Sequence, residues 1–107
     1  MRAVTDSNPA AISPAAIIAP ERIVAATRGE FRTAVLALIE QLGPDAGAIT
    51  IDLQHTVELD ASGLGILVLL QKRAKERGLS TRLRQAPDRV RNLLKLTLLE
   101  FLFEFTD

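Results

Sequence analysis

Leu59-Asp60-Ala61-Ser62-Gly63-Leu64-Gly65-Ile66-Leu67 changes character half-way along, where small and polar residues give way to aliphatic ones. The apolar run 66–70 is followed by Gln71-Lys72-Arg73-Ala74-Lys75-Glu76-Arg77 and then Gly78. That order predicts a helix buried at its start, solvated at its end and closed by Gly78. Ser62 is expected to be its N-cap, a role that a hydroxyl fills at about 1 kcal/mol. Asp60 is expected to form an Asx turn or to act as a second cap ligand.

Upstream, Ala48-Ile49-Thr50-Ile51-Asp52-Leu53 is an apolar, β-branched run of the kind found in a central strand covered on both faces. Before it, Phe31, Val35, Leu38, Ile39 and Leu42 recur at helical spacing, with Thr27 and Glu30 placed as a capping box and Gly43-Pro44 as the stop. A helix over residues 28–42 follows. Ala16-Ile17-Ile18-Ala19 reads as a short strand, which Pro20 confines to an edge or breaks because it lacks a donor. Downstream, residues 79–84 alternate as a half-exposed strand, and Ala86-Pro87-Asp88 opens a third helix carrying Val90, Leu93, Leu94 and Leu98. Residues 101–105 end the chain as a strand, with Phe101, Phe103 and Phe105 as a core-facing stripe. If that strand is an edge, it favours pairing with another chain, a second copy included. Strands alternating with helices of this length imply right-handed crossovers, hence an α/β fold with a mostly parallel sheet and helices packed on it.

With 107 residues, 48% hydrophobic and 24% charged, the chain fits one globular domain. Residues 1–15 read as an irregular N-terminal arm and 16–107 as the folded unit. Zero Cys and a lone His55 exclude disulfides, thiolate nucleophiles and imidazole-pair metal sites, so no metal or cofactor is implied. His55 falls on the loop after the central strand and reads as an ordinary polar residue. The lack of Trp and Tyr argues against a base-stacking surface. The 13 basic and 13 acidic residues leave no overall field for nucleic acid or an anionic membrane. Charge is nonetheless uneven: residues 1–71 hold 4 Arg against 8 acids, whereas 72–95 hold 9 bases against 2 acids. The simple account of this basic block, including Lys72, Arg73, Lys75 and Arg77, is two solvated helix faces and a polar loop, with a docking surface for an acidic partner as the lesser reading. Asp6, Pro9 and Pro14 interrupt any secretory signal, and the run 66–70 is far short of the ~20 residues of a membrane span. A cytoplasmic protein without membrane insertion is expected.

Ile49-Thr50-Ile51-Asp52-Leu53, then Leu59-Asp60-Ala61-Ser62-Gly63-Leu64-Gly65-Ile66-Leu67, then Gly78 and the ending Val90, Leu93-Leu94, Leu96-Thr97, Leu99, Leu102-Phe103 together resemble the STAS family, the domain of anti-sigma factor antagonists. The likeness runs from Ile17 to Phe105, and the D-x-S-G-L-G turn is its most specific part. It implies a STAS-like small mixed, mostly parallel β-sheet flanked by α-helices, and a partner switch rather than an enzyme. In the antagonist branch such a domain binds a serine kinase that doubles as an anti-sigma factor, and phosphorylation of the domain ends the association. A phosphate at a helix N-terminus suits this chemistry, because backbone N–H groups and the dipole stabilise it while its charge disrupts docking.

The sequence departs from that pattern twice. The family's phosphorylated Ser or Thr follows the motif Asp, and here that residue is Ala61; Ser62 is the remaining phosphorylation candidate. In Ile23-Val24-Ala25-Ala26-Thr27, which resembles the family's Leu-Asp-x-x-Thr segment, Val24 stands where an acidic residue is common. The expected partner-binding surface is Asp60, Ala61, Ser62, Gly63, Leu64 and Gly65, with Gly63 and Gly65 admitting a partner's backbone. Two classes stay open: an antagonist-type module docking on an anti-sigma factor kinase without phospho-control, and a STAS subunit binding the ATPase of a bacterial lipid-transport ABC system.

Overall fold

The structure is a computed structural model and describes residues 15–107. The expected N-terminal arm therefore lies outside the described residues, apart from Ala15, which is buried. The order is β1 (Ala16–Ile18), β2 (Arg22–Ile23), α1 (Arg28–Gln41), β3 (Ala48–Asp52), β4 (Glu58–Leu59), α2 (Ala61–Glu76), β5 (Ser80–Arg84), α3 (Asp88–Leu96) and β6 (Glu104–Thr106). Four strands form one sheet in the order β1-β3-β5-β6, every neighbouring pair parallel, while β2 and β4 form a separate parallel pair. The run 48–53 is thus the central strand that its composition predicts, and β1 lies at an edge.

A strand order advancing in one direction with crossovers of one hand sends successive helices to the same face. Ile49 and Ile51 sit opposite Thr81 and Leu83 on that face. Ile49, Ile51 and Leu83 join one core with Phe31, Val35 and Ile39 of α1, Ile66, Leu67 and Leu70 of α2, and Val90 and Leu94 of α3. The opposite register carries ion pairs: Arg84 Nη2 lies 2.7 Å from Asp52 Oδ2, and Arg82 Nε 2.9 Å from Glu104 Oε1. Asp52 is only 1% exposed. Burial pushes its carboxyl up, but the Gln54 backbone N–H at 2.9 Å, the Arg84 guanidinium and the Gln54 side chain outweigh that and hold it below its ordinary range.

Pro20 acts as its missing donor requires. Ala19 N–H still donates to Asp52 O at 2.9 Å, after which the chain leaves the main sheet and pairs again as β2. Thr56 Oγ1 donating to Pro20 O at 2.8 Å and Val57 N–H donating to Glu21 O at 2.7 Å hold the detour. Two-residue strands carry too little alternation to be read from sequence.

Two expectations need correction. The basic block is not a uniform solvated face. Arg77 donates to Glu40 O and Leu42 O at 3.0–3.3 Å and so satisfies carbonyls left open at the C-terminus of α1. Arg89 Nη1 donates to Val57 O, and Arg91 lies 4.4 Å from the centroid of the Phe105 ring. Among the described residues, the side chains of Lys72, Arg73, Lys75 and Lys95 make no hydrogen bond or ion pair. The strand expected over 101–105 is also displaced: Glu100–Leu102 is a 3₁₀ turn and only Glu104–Thr106 pairs with β5. Phe103 is buried, Phe105 half-buried and Phe101 exposed, because the turn bonds Leu102 N–H to Leu99 O and Phe103 N–H to Glu100 O rotate the backbone before pairing begins.

Candidate functional site

The site begins where β4 hands over to α2. Asp60 is extended and its Oδ1 accepts from Gly63 N–H at 2.9 Å, so Asp60 is the N-cap of α2. This corrects the expectation for Ser62, which sits inside the first turn, half-buried, with no hydrogen bond from its hydroxyl among the described residues. Either side chain can cap, and a carboxylate has the added attraction of the helix's positive end. Asp60 Oδ2 also accepts from Ala25 N–H at 3.4 Å, a long contact that ties the 24–27 turn to the start of α2. Inside that turn Thr27 Oγ1 donates to Arg22 O at 2.6 Å and accepts from Val24 N–H at 3.1 Å. Thr27 occupies the position before α1 but makes no side-chain cap bond, so the expected capping box with Glu30 is absent: its hydroxyl closes the turn instead. The two segments that carry the resemblance, 23–27 and 60–65, are brought together.

Gly63 is the tightest point. A Cβ there would overlap the carbonyl oxygen of Ile23 and lie 2.6 Å from Leu59 Cδ1. Gly63 is therefore buried against β2 of its own chain, and its expected place on the outer surface is corrected to an internal one. Gly65 differs, being exposed with nothing within 4 Å of a Cβ. Ala61 and Gly65, four apart on one helix face, are the exposed members of the expected set, while Asp60, Ser62 and Leu64 are half-buried beside them. No charged residue occurs from Ala61 to Gln71. The first turns of α2 thus present an uncharged face of small residues, Ala61 and Gly65, suited to close contact with another backbone.

Sequence reasoning missed the Ile23 carbonyl as the reason for Gly63 and the Ala25 contact of Asp60. The only signal for either is the three-residue step from Asp60 to Gly63, the distance from an N-cap to the N–H it accepts. Asp60 is engaged by two backbone N–H groups and Asp52 by Arg84 and Gln54, while His55 stands exposed on its loop. The described residues hold no group of three or more His, Asp or Glu side chains arranged for a metal ion, and no helix long and apolar enough to cross a membrane.

A family model described as "Mlab, STAS domain" matches residues 16–103. Among solved structures, the chain is similar to a Thermotoga maritima protein provisionally described as an anti-sigma factor antagonist, with a TM-score of 0.72 at 20% identity over 87% of this chain and 80% of that one. At that identity the likeness concerns the fold. No curated protein matches the sequence.

Proposed function

The chain belongs to the STAS family, and from that premise we propose that it is a non-catalytic interaction module of the anti-sigma factor antagonist type. It docks on a kinase-like anti-sigma partner through the first turns of α2. The observation that carries this reading is the exposed, uncharged face of Ala61 and Gly65, held in place by the Asp60 cap and by the seating of Gly63 on Ile23. Ala61 offers no hydroxyl to a kinase, so the module acts by occupancy, without phospho-control. A second reading, a STAS subunit on the ATPase of a lipid-transport ABC system, uses the same face and is favoured by the description of the matching family model.

The test is reconstitution with a candidate partner of each class, an anti-sigma kinase and an ABC ATPase. With the kinase and ATP, the parent is expected to take up no phosphate and Ala61→Ser to take it up. Stoichiometric phosphate on Ser62 in the parent would overturn the occupancy-only account. Binding to the ATPase alone would establish the second reading in place of the first.

A further inference from the structure

α2 and α3 end in the same hydrogen-bonded closure, made by different residues. After α2, Gly78 N–H donates to Lys75 O and Leu79 N–H to Ala74 O, with Gly78 at φ +78. After α3, Leu98 N–H donates to Lys95 O and Leu99 N–H to Leu94 O, with Leu98 at φ +61. That left-handed position ordinarily takes glycine, because a side chain there crowds the following carbonyl. Leu98 is nonetheless 78% exposed, so its side chain serves neither the closure nor the core. Phe101, which lines the same hollow, is 80% exposed. Two large apolar side chains adjoining on the surface, one of them held at a backbone cost, mark a contact surface.

The shape of this surface narrows the occupant. Phe101 stands between two hollows of about 340 and 260 Å³, so a knob and the holes to receive one occur in a single patch. Each hollow also holds one base and one acid, Lys75 with Glu104 in the first and Lys95 with Glu100 in the second, so net charge favours neither an acidic nor a basic segment. A two-fold axis sets a patch against itself and therefore needs knob, hole and both signs within it. The second hollow is the freer one. Glu104 is already held by Arg82 at 2.9 Å, whereas the side chains of Lys95 and Glu100 make no hydrogen bond or ion pair among the described residues. The patch is small beside the roughly 800 Å² that each partner contributes to a standard interface, which fits a reversible dimer rather than an obligate one.

We propose that two copies of this chain associate about a two-fold axis through Leu98 and Phe101. Phe101 of each copy enters the hollow beside Leu98 of the other, and Lys95 of each meets Glu100 of the other. Lys75, on the rim of the first hollow, stands about 18 Å along α2 from Gly63 at 1.5 Å per residue, so the dimer leaves both copies of the face proposed above free.

The test is sedimentation velocity of the full chain over a wide range of concentration. The mean mass should climb from monomer towards dimer, and Phe101→Ser should weaken the association about tenfold or more while circular dichroism stays that of a folded protein. Leu98→Gly should weaken it too, and raise the unfolding midpoint by relieving the backbone. Lys95→Glu and Glu100→Lys should each weaken association alone and restore it when the two variants are mixed, since opposite charges then face each other across the axis. A chain that stays monomeric, association indifferent to Phe101→Ser, or charge variants that associate no better mixed than apart would overturn the proposal. So would a monomer whose Phe101 surface binds phosphatidylcholine–phosphatidylglycerol vesicles or a leucine-faced helical peptide, which would give that surface to a membrane or to another protein.

Discussion

Gly63 and Gly65 stand two residues apart in one helix with opposite demands on them. A methyl at Gly63 collides with the Ile23 carbonyl, whereas one at Gly65 enters open space. Gly63→Ala is therefore expected to cost about 1–3 kcal/mol, as overpacking does, and Gly65→Ala to add about 0.5–1 kcal/mol by relieving the glycine's entropic cost in a helix. Urea unfolding followed by circular dichroism reads both, and equal effects would refute the packing account. The cap makes a similar contrast: Asp60→Ala should cost about 0.5–2 kcal/mol, while Ser62→Ala should change stability by no more than the ±0.5 kcal/mol usual away from such features. The reverse order would restore Ser62 as the cap. The turn itself was legible in the sequence, but the choice of capping residue was not. Asp and Ser cap about equally well, and the decision depends on where β4 ends, which a two-residue strand does not announce.

At the scale of elements, the long periodic segments were readable because their burial follows their period: α1 and α2 each end one residue short of the expected limit and β3 is central. What escaped were β2 with β4, set by long-range hydrogen bonds between two-residue strands, and the 3₁₀ turn that displaces β6, a local closure with no period of its own in an apolar run. Between β3 and β5 the pair of buried Asp52 with partly exposed Arg84 gives acid sensitivity a definite sign. The carboxyl of Asp52 is depressed in the folded protein below its ordinary value of 3.8, so the folded state binds this proton less readily than the unfolded chain. The stabilisation is fully present above about pH 5 and is lost as pH falls through the depressed folded value. Urea midpoints measured from about pH 6 to pH 2.5 should fall at the acid end, and less steeply in Arg84→Gln, which lacks part of what depresses the carboxyl. An unchanged acid slope in that variant would show that the pair does not govern it. Glu104 is depressed too, by its hydrogen bond with Arg82, but it is exposed and adds little.

For the whole molecule, the sheet fixes which surfaces are free. Helices on one face bury its apolar register, ion pairs occupy the other, and the start of α2 emerges at a junction where β2, β4 and the 24–27 turn converge. The basic block taught the complementary lesson: composition located the charge, but only the fold shows that Arg77, Arg82, Arg84, Arg89 and Arg91 serve internal contacts. The central claim, docking by occupancy through the first turns of α2, is tested most directly by calorimetric titration of a candidate anti-sigma kinase with the parent and with Gly65→Glu, before and after incubation with ATP. The account predicts saturable binding of the parent that ATP leaves unchanged, and a loss of about tenfold or more, at least 1.4 kcal/mol, in a folded Gly65→Glu protein. Parent-like affinity in that variant, or release of the parent by ATP, would contradict it.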